Sequence, residues 1–114
     1  MTKNNMEVLN VNEVKEFSKE KRIRKKLLGS EKLVAEFLCY EPGQSTPQHP
    51  HPKQDELFYV IEGRGTFIID DQEVPVGETS LILVPARVKH GISADKNSRL
   101  VVMFVKAPGS TKSK

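Results

Sequence analysis

Short apolar runs separated by turn residues dominate the chain from Leu33 onward. Segments rich in valine, leucine, isoleucine and phenylalanine recur about every eight to twelve residues, with glycine, proline, aspartate or asparagine between them. This spacing is typical of an all-β sandwich or barrel, so we expect about eight or nine strands and little helix. The clearest strand runs are LFYVI, SLILV and LVVMFV.

These runs are apolar on both faces of the strand. The core of a barrel takes up only one face, so a second sheet, the N-terminal strands or another subunit must cover the other. We therefore expect a homodimer. The run from Leu33 to Tyr40 alternates instead, and its set Leu33, Ala35, Phe37 and Cys39 is predicted to point inward because Glu36 interrupts the other set.

The N-terminal 32 residues have a different pattern and carry the basic excess, with nine Lys/Arg against five Asp/Glu. We predict a short strand at 7–11 and a short helix that Asn12 caps and that runs to Phe17. The cationic run 19–26, KEKRIRKK, resembles a phosphate-binding segment, but no aromatic residues for base stacking are interleaved with it. We interpret it as a solvated turn leading into a strand through Leu28, and we expect no nucleic-acid partner.

These patterns divide the chain into an N-terminal arm at 1–32, a β barrel at 33–106 and a disordered tail at 107–114. A chain of 114 residues accommodates one core. No stretch approaches the roughly 20 apolar residues of a membrane span, and the N-terminus has no apolar secretory segment. We expect a cytoplasmic protein with no membrane partner. Cys39 is the only cysteine, which excludes an internal disulfide and a four-thiolate zinc site.

The three histidines of the chain and one glutamate form a candidate metal site. His49 and His51 lie two residues apart, so in an extended strand they project from the same face. Glu56 starts the following strand on its interior face, and His90 starts a later one. Three imidazoles and a carboxylate suit a divalent transition metal such as Mn, Fe, Co, Ni, Cu or Zn. The alternative is two surface histidines in a proline-rich loop plus one core histidine.

The spacing of these residues resembles the first motif of the cupins, small β barrels of the jelly-roll (double-stranded β-helix) type. The motif is a glycine, five residues, His-x-His, four residues, a glutamate, six residues and a glycine. The chain matches it from Gly43 to Gly63 at every position. A second motif is matched more loosely by Gly77, Pro85 and His90, with Arg87 at a usual glycine and Ala94 at a common asparagine.

The resemblance implies a cupin barrel with a short N-terminal arm and a metal bound by His49, His51, Glu56 and His90. It also implies a pocket for a small-molecule substrate. Arg87 is expected at the pocket mouth, where a guanidinium pairs with a carboxylate or phosphate, although a solvated arginine is an equal alternative. Three further candidates for the pocket are Phe37, Phe58 and Cys39, whose first role is core packing.

Two enzyme chemistries fit this resemblance. The first is dioxygenase-type oxidation of a small molecule that chelates the metal through adjacent oxygens. The second is isomerase or lyase chemistry with the metal as Lewis acid, in which Glu56 acts as the catalytic base. A non-catalytic binding or sensing module is the third alternative, because a fold does not determine a function.

Overall fold

The computed structural model describes residues 6–50 and 53–109. This part of the chain forms nine strands and one short 3-10 turn, at Val11–Glu13. It contains no helix of the length and apolarity that a membrane crossing needs. The strands are β1 Ile23–Gly29, β2 Val34–Tyr40, β3 Ser45–His49, β4 Asp55–Gly63, β5 Gly65–Ile69, β6 Gln72–Val76, β7 Leu81–Val84, β8 His90–Ala94 and β9 Leu100–Ala107.

The strands form two antiparallel sheets that enclose the main core. The five-stranded sheet has the order β1-β2-β9-β4-β7, and the four-stranded sheet has the order β3-β8-β5-β6. Alternate residues of both sheets meet between them, among them Phe58 and Val60 of β4, Phe67 of β5 and Phe104 of β9. The all-β class predicted from the strand spacing is confirmed.

The inward face of β2 is the opposite of the predicted one. Leu38 and Tyr40 point into the main core, whereas Phe37 and Cys39 lie in a second cluster on the outer face of the five-stranded sheet. The residues on both faces of β2 are apolar, so the prediction of the inward face depended on Glu36 alone. Glu36 nevertheless lies on the inward face, only 9% exposed, because Arg24 of β1 and Lys106 of β9 neutralise it.

The N-terminal segment covers that second cluster. Val11, Val14 and Phe17 pack against Phe37 and Cys39. The strand predicted at 7–11 and the helix predicted from residue 12 to residue 17 are wrong. A single 3-10 turn stands in their place, and Asn10 caps it by accepting a hydrogen bond from the amide of Asn12. The segment is held by its apolar side chains rather than by regular backbone structure.

Residues at both ends of the predicted barrel also take part in the fold. β1 falls within the stretch 1–32 that the sequence assigns to the arm, and it forms the edge of the five-stranded sheet beside β2. β9 continues to Ala107, and the Gln54 amide donates to the carbonyl oxygens of Pro108 and Gly109 at 2.8 Å each. Residues 110–114 lie outside the described part of the chain.

Gly63, at the end of β4, occupies a position that only glycine fits. Its φ is +86°, in the left-handed region, and a Cβ there would lie 1.7 Å from the carbonyl oxygen of Arg99. At Gly77, in the turn before β7, an added Cβ would have no other heavy atom within 4 Å. The requirement for glycine at 63 is therefore steric as well as conformational.

We expect Gly63→Ala to destabilise the protein by about 2–4 kcal/mol, because the backbone near Arg99 must move to admit the methyl group. Gly77→Ala is the matched control and should change the free energy of unfolding by less than about 1 kcal/mol. Urea denaturation of the two variants and the parent measures the difference. Equal stability of the two variants would contradict the steric argument.

Candidate metal centre

Glu56 and His90 meet inside the barrel. Glu56 is the first inward residue of β4 and His90 the first residue of β8, so the two side chains come from different sheets. They are 2% and 3% exposed, and Oε1 of Glu56 lies 3.1 Å from Nε2 of His90. A carboxylate and an imidazole from distant parts of the sequence thus form one buried polar pair.

His49 joins this pair through the pairing of β3 with β8. The register places His49 directly opposite His90, and the centroids of the two rings are 5.1 Å apart. Nδ1 of His49 lies 3.0 Å from the carbonyl oxygen of Pro47. A carbonyl only accepts, so Nδ1 is the donor in this contact and Nε2 is the nitrogen left for a metal, the arrangement that a metal-binding histidine uses.

The register of β3 is irregular just before His49. The pairing with β8 shifts between Thr46 and His49, at the point where Pro47 has no amide to donate. Thr46 and His49 both line the same cavity although they are three positions apart. The irregularity therefore brings a hydroxyl and an imidazole to one face, which strict alternation along a strand does not do.

One pair of donors, Glu56 and His90, fits two ligands of a transition metal in kind and in spacing. Two donors that share one ion at about 2.1 Å lie about 3.0–3.4 Å apart, and the Glu56–His90 separation is 3.1 Å. His51, the fourth predicted ligand, lies outside the described residues. Among the residues at 6–50 and 53–109, no three ligating side chains are grouped closely enough to hold an ion.

A small cavity opens beside the pair. Its volume is ≈ 50 Å³, so it is a small recess, well below the roughly 300–1,000 Å³ of typical small-molecule sites. Leu38, Phe58, Ile92 and Phe104 form its apolar wall. The ring of Phe58 meets that of His90 edge-on, with centroids 5.2 Å apart, which restricts the imidazole from a second side.

Of the four residues predicted for the substrate pocket, the structure places Phe58 in this cavity and the other three elsewhere. Phe37 and Cys39 lie in the outer cluster, where burial raises the pKa of the Cys39 thiol. Arg87 lies exposed in the loop between β7 and β8, and it is not among the residues that line the cavity. Its φ is +75°, so a large side chain occupies a conformation that glycine adopts freely.

Two arginines line the cavity that were not predicted from the sequence. Arg22 and Arg24 belong to the basic run interpreted as a solvated turn, yet both belong to the cavity wall. Their spacing could have indicated that they act together, because residues two positions apart in an extended chain lie on the same face. In isolation the run gives no indication of which face is turned inward.

A three-residue charge network lies next to the cavity. Glu36 accepts from Arg24 at 2.6 Å through one oxygen and pairs with Lys106 at 3.0 Å through the other. Burial by itself raises the pKa of Glu36, but the hydrogen bonds from Arg24 and Lys106 outweigh it, and the pKa is lowered. Two cations thus share one carboxylate, and the network carries a net positive charge.

The family model described as "Cupin domain" matches residues 36–106. The chain belongs to the cupin family. A double-stranded β-helix protein from Klebsiella pneumoniae has the same fold, with a TM-score of 0.89, 19% identity and coverage of 98% of this chain and 93% of that one. The predicted jelly-roll cupin barrel is confirmed.

Two further proteins resemble the chain over a shorter stretch of sequence. An uncharacterized protein of Methanocaldococcus jannaschii, MJ1618, is 29% identical over 66 residues, which is 58% of this chain and 53% of that protein. Polyketide synthase CurC of Streptomyces cyaneus is 29% identical over 62 residues, 53% of this chain and 40% of that protein. The chain thus spans about half the length of these relatives or less.

A solved structure with a described activity shares the fold. The polyketide cyclase RemF of Streptomyces resistomycificus gives a TM-score of 0.77 at 22% identity, over 94% of this chain and 82% of that one. At that identity the likeness establishes the fold alone. What the family and the cavity support together is a cupin with an enzyme-like or small-molecule-binding site.

The lowered pKa of Glu36 gives a pH-dependent contribution to stability. A carboxyl with a lower pKa in the folded state than in the unfolded state stabilises above its unfolded value, near 4.3, and loses that contribution as the pH falls through the folded value. We expect Glu36→Gln to lower the free energy of unfolding by about 1–3 kcal/mol at pH 7. The deficit should shrink steadily below about pH 4.

Chemical denaturation of the parent and Glu36→Gln across this pH range measures that deficit. Glu73→Gln, at an exposed position on β6, is the control and should show no such dependence. A deficit of the same size at every pH would mean that Glu36 stabilises the fold without its charge.

Proposed function

We propose that this chain is a metal-dependent cupin enzyme that oxidises a small molecule with adjacent oxygen atoms, in a dioxygenase-type reaction. His49, Glu56 and His90, with His51 from the sequence motif, would hold a divalent transition metal. The observation that carries the proposal is the 3.1 Å contact of Glu56 with His90 at the wall of a small open cavity.

A metal in this position supplies Lewis acidity toward the substrate oxygens and, where it is redox-active, electron transfer to dioxygen. The chain supplies the orientation of its ligands. Nδ1 of His49 is fixed by the Pro47 carbonyl, and the edge of Phe58 restricts His90. Such supporting contacts raise metal affinity because the ligands need no reorganisation.

Glu56 is the group proposed to move a proton. It lies at the cavity wall, almost fully buried, so a proton taken from a substrate hydroxyl reaches Oε1 or Oε2 without passing through bulk water. The apolar wall of Leu38, Phe58 and Phe104 limits water at the same place.

A second candidate is proton transfer, isomerisation or ring closure with the metal as Lewis acid and Glu56 as base. The names of two similar proteins favour it, since RemF is described as a polyketide cyclase and CurC as a polyketide synthase. Both candidates require the same ligands and the same cavity. They differ in whether dioxygen is consumed.

Metal binding is the first test. Purified protein stripped of metal should bind one Mn²⁺, Ni²⁺ or Zn²⁺ per chain in isothermal titration calorimetry. Glu56→Gln and His90→Ala should each weaken that binding at least about tenfold, because each removes a donor of the set. Glu73→Gln, a carboxylate lost from an exposed strand, is the matched control and should bind like the parent. Parent-like binding by His90→Ala, or no stoichiometric metal, would refute the ligand assignment.

Turnover separates the two chemistries. The metal-loaded protein is supplied with catechol-like, flavonol, keto-acid and sugar-phosphate compounds while dioxygen uptake and product formation are recorded. Uptake coupled to product supports oxidation. Metal-dependent turnover that consumes no dioxygen would contradict oxidation and support the second candidate. Binding of a compound without turnover would identify a binding module.

We also propose that a second copy of the chain covers the exposed leucines of β7. Leu81 and Leu83 are 65% and 63% exposed, and they lie opposite Tyr59 and Leu57 on the outer face of β4. β7 is the free edge of its sheet. A two-fold axis beside this edge brings the same four apolar side chains of each copy together, so the patch is complementary to itself.

We expect light scattering to give the mass of a dimer for the parent. Leu81→Lys combined with Leu83→Lys should give a monomer, since four lysines would then meet at the axis. Val74→Lys, at an exposed position on β6 in the other sheet, is the control and should remain a dimer. A monomeric parent would overturn this proposal.

A further inference from the structure

Arg22 links the edge strands of the two sheets. It immediately precedes β1, the edge of the five-stranded sheet, and its Nε donates to Oγ1 of Thr46 on β3, the edge of the four-stranded sheet, at 2.8 Å. This hydrogen bond spans the gap between the sheets at the cavity wall. The guanidinium is thereby fixed at the cavity instead of moving freely in solvent.

The group that fixes Arg22 carries no charge. Oγ1 of Thr46 is also 2.8 Å from the hydroxyl of Tyr40, which is fully buried. Burial raises the pKa of Tyr40 to about 12, so this hydroxyl stays neutral. Within the described part of the chain, no carboxylate forms an ion pair with Arg22. The positive charge of Arg22 therefore faces the cavity without local compensation from these residues.

Arg24 adds to this charge two positions further along. Its Nε donates to one oxygen of Glu36, and Lys106 pairs with the other oxygen of the same carboxylate. The three residues together therefore carry one net positive charge. The guanidinium also lies 5.9 Å from the centroid of the Phe104 ring, part of the cavity wall. One side of the cavity thus presents about two positive charges, one from Arg22 and one from the Arg24–Glu36–Lys106 network.

The distance from this cationic side to the candidate metal ligands suits a short molecule. Thr46 pairs with Ile92, two residues along β8 from His90, which corresponds to roughly 7 Å along the strand. A ligand that reaches both places needs an anionic group at one end and oxygen donors at the other, a few bonds apart. The planar guanidinium edge of Arg22 matches a carboxylate in shape.

We propose that Arg22 binds the distal carboxylate of a small organic acid whose other end carries the oxygen atoms presented to Glu56 and His90. This inference deepens the proposed function by naming the substrate class as a chelating acid with a second carboxylate. Arg24 contributes long-range attraction while it remains bound to Glu36. Arg22 is a binding residue and takes no part in proton transfer.

The test varies the distal group and keeps the chelating end constant. Malate, its 4-amide and lactate share a hydroxyl beside a carboxylate, but only malate has a second carboxylate. Each is titrated into ¹⁵N-labelled, metal-free protein while the Nε–H signal of Arg22 and the amide signal of Thr46 are followed by NMR. We expect malate to bind about tenfold more tightly than its amide or lactate, the size of one charge-assisted hydrogen bond.

Arg22→Gln should abolish this preference while the protein stays folded, because glutamine can still donate to Thr46. Arg22→Lys should keep part of it, since the charge remains without the planar fork. Arg64→Gln is the matched control, an exposed arginine that pairs with Asp95 outside this cavity, and should leave the preference unchanged. The thermal midpoint of each variant checks its folding.

Equal binding of malate and its amide, or no binding of any of the three, would overturn the inference, as would a preference that survives in Arg22→Gln. The metal-free design keeps this test separate from the proposed function. A chain that fails to bind metal yet prefers malate overturns the proposed function alone. A chain that binds metal and shows no preference overturns the assignment of Arg22 alone.

Discussion

The contact between Glu56 and His90 is the constraint on which the rest of the site depends. A carboxylate that is almost fully buried must have a hydrogen-bond donor or a cation beside it, because losing its hydration without such a partner costs several kcal/mol. His90 comes from the opposite sheet and lies beside it, with Nε2 3.1 Å from Oε1. Along β4 the inward positions then become apolar, from Glu56 through Phe58 to Val60. The barrel therefore has one polar end, where ligands can bind, and one packed end.

The N-terminal arm covers part of the apolar surface of the fold and also lines the cavity. Its apolar residues close the outer face of the five-stranded sheet over Phe37 and Cys39, while Arg22 and Arg24 reach the cavity on the inner side. The arginines stay in place because each is bound, Arg22 to Thr46 and Arg24 to Glu36. Anchoring of the arm and the charge of the cavity are therefore properties of one segment, and a substitution that loosens the arm should also weaken ligand binding.

Predictions that rest on local periodicity agree with the structure where one face of a strand is clearly different from the other. Glu56 shares the inward face of β4 with Phe58 and Val60, as alternation in a strand requires. The same reasoning gave the wrong face for β2, because its two faces are both apolar and Glu36 looked like an outward residue. Its charge is compensated by side chains about 12 and 70 residues away, which no local pattern reveals.

The sequence by itself determined most strands and turns of the barrel, the family and the set of candidate ligands, because these depend on residue type and on spacing over a few positions. Only the tertiary structure decided which side of β1 faces the cavity, and so turned part of a basic run into a cavity wall containing Arg22 and Arg24. It also placed Arg87 in an exposed loop instead of the cavity. The physical reason is that strand register and sheet edges bring distant residues together, and the pairings that fix them are long-range.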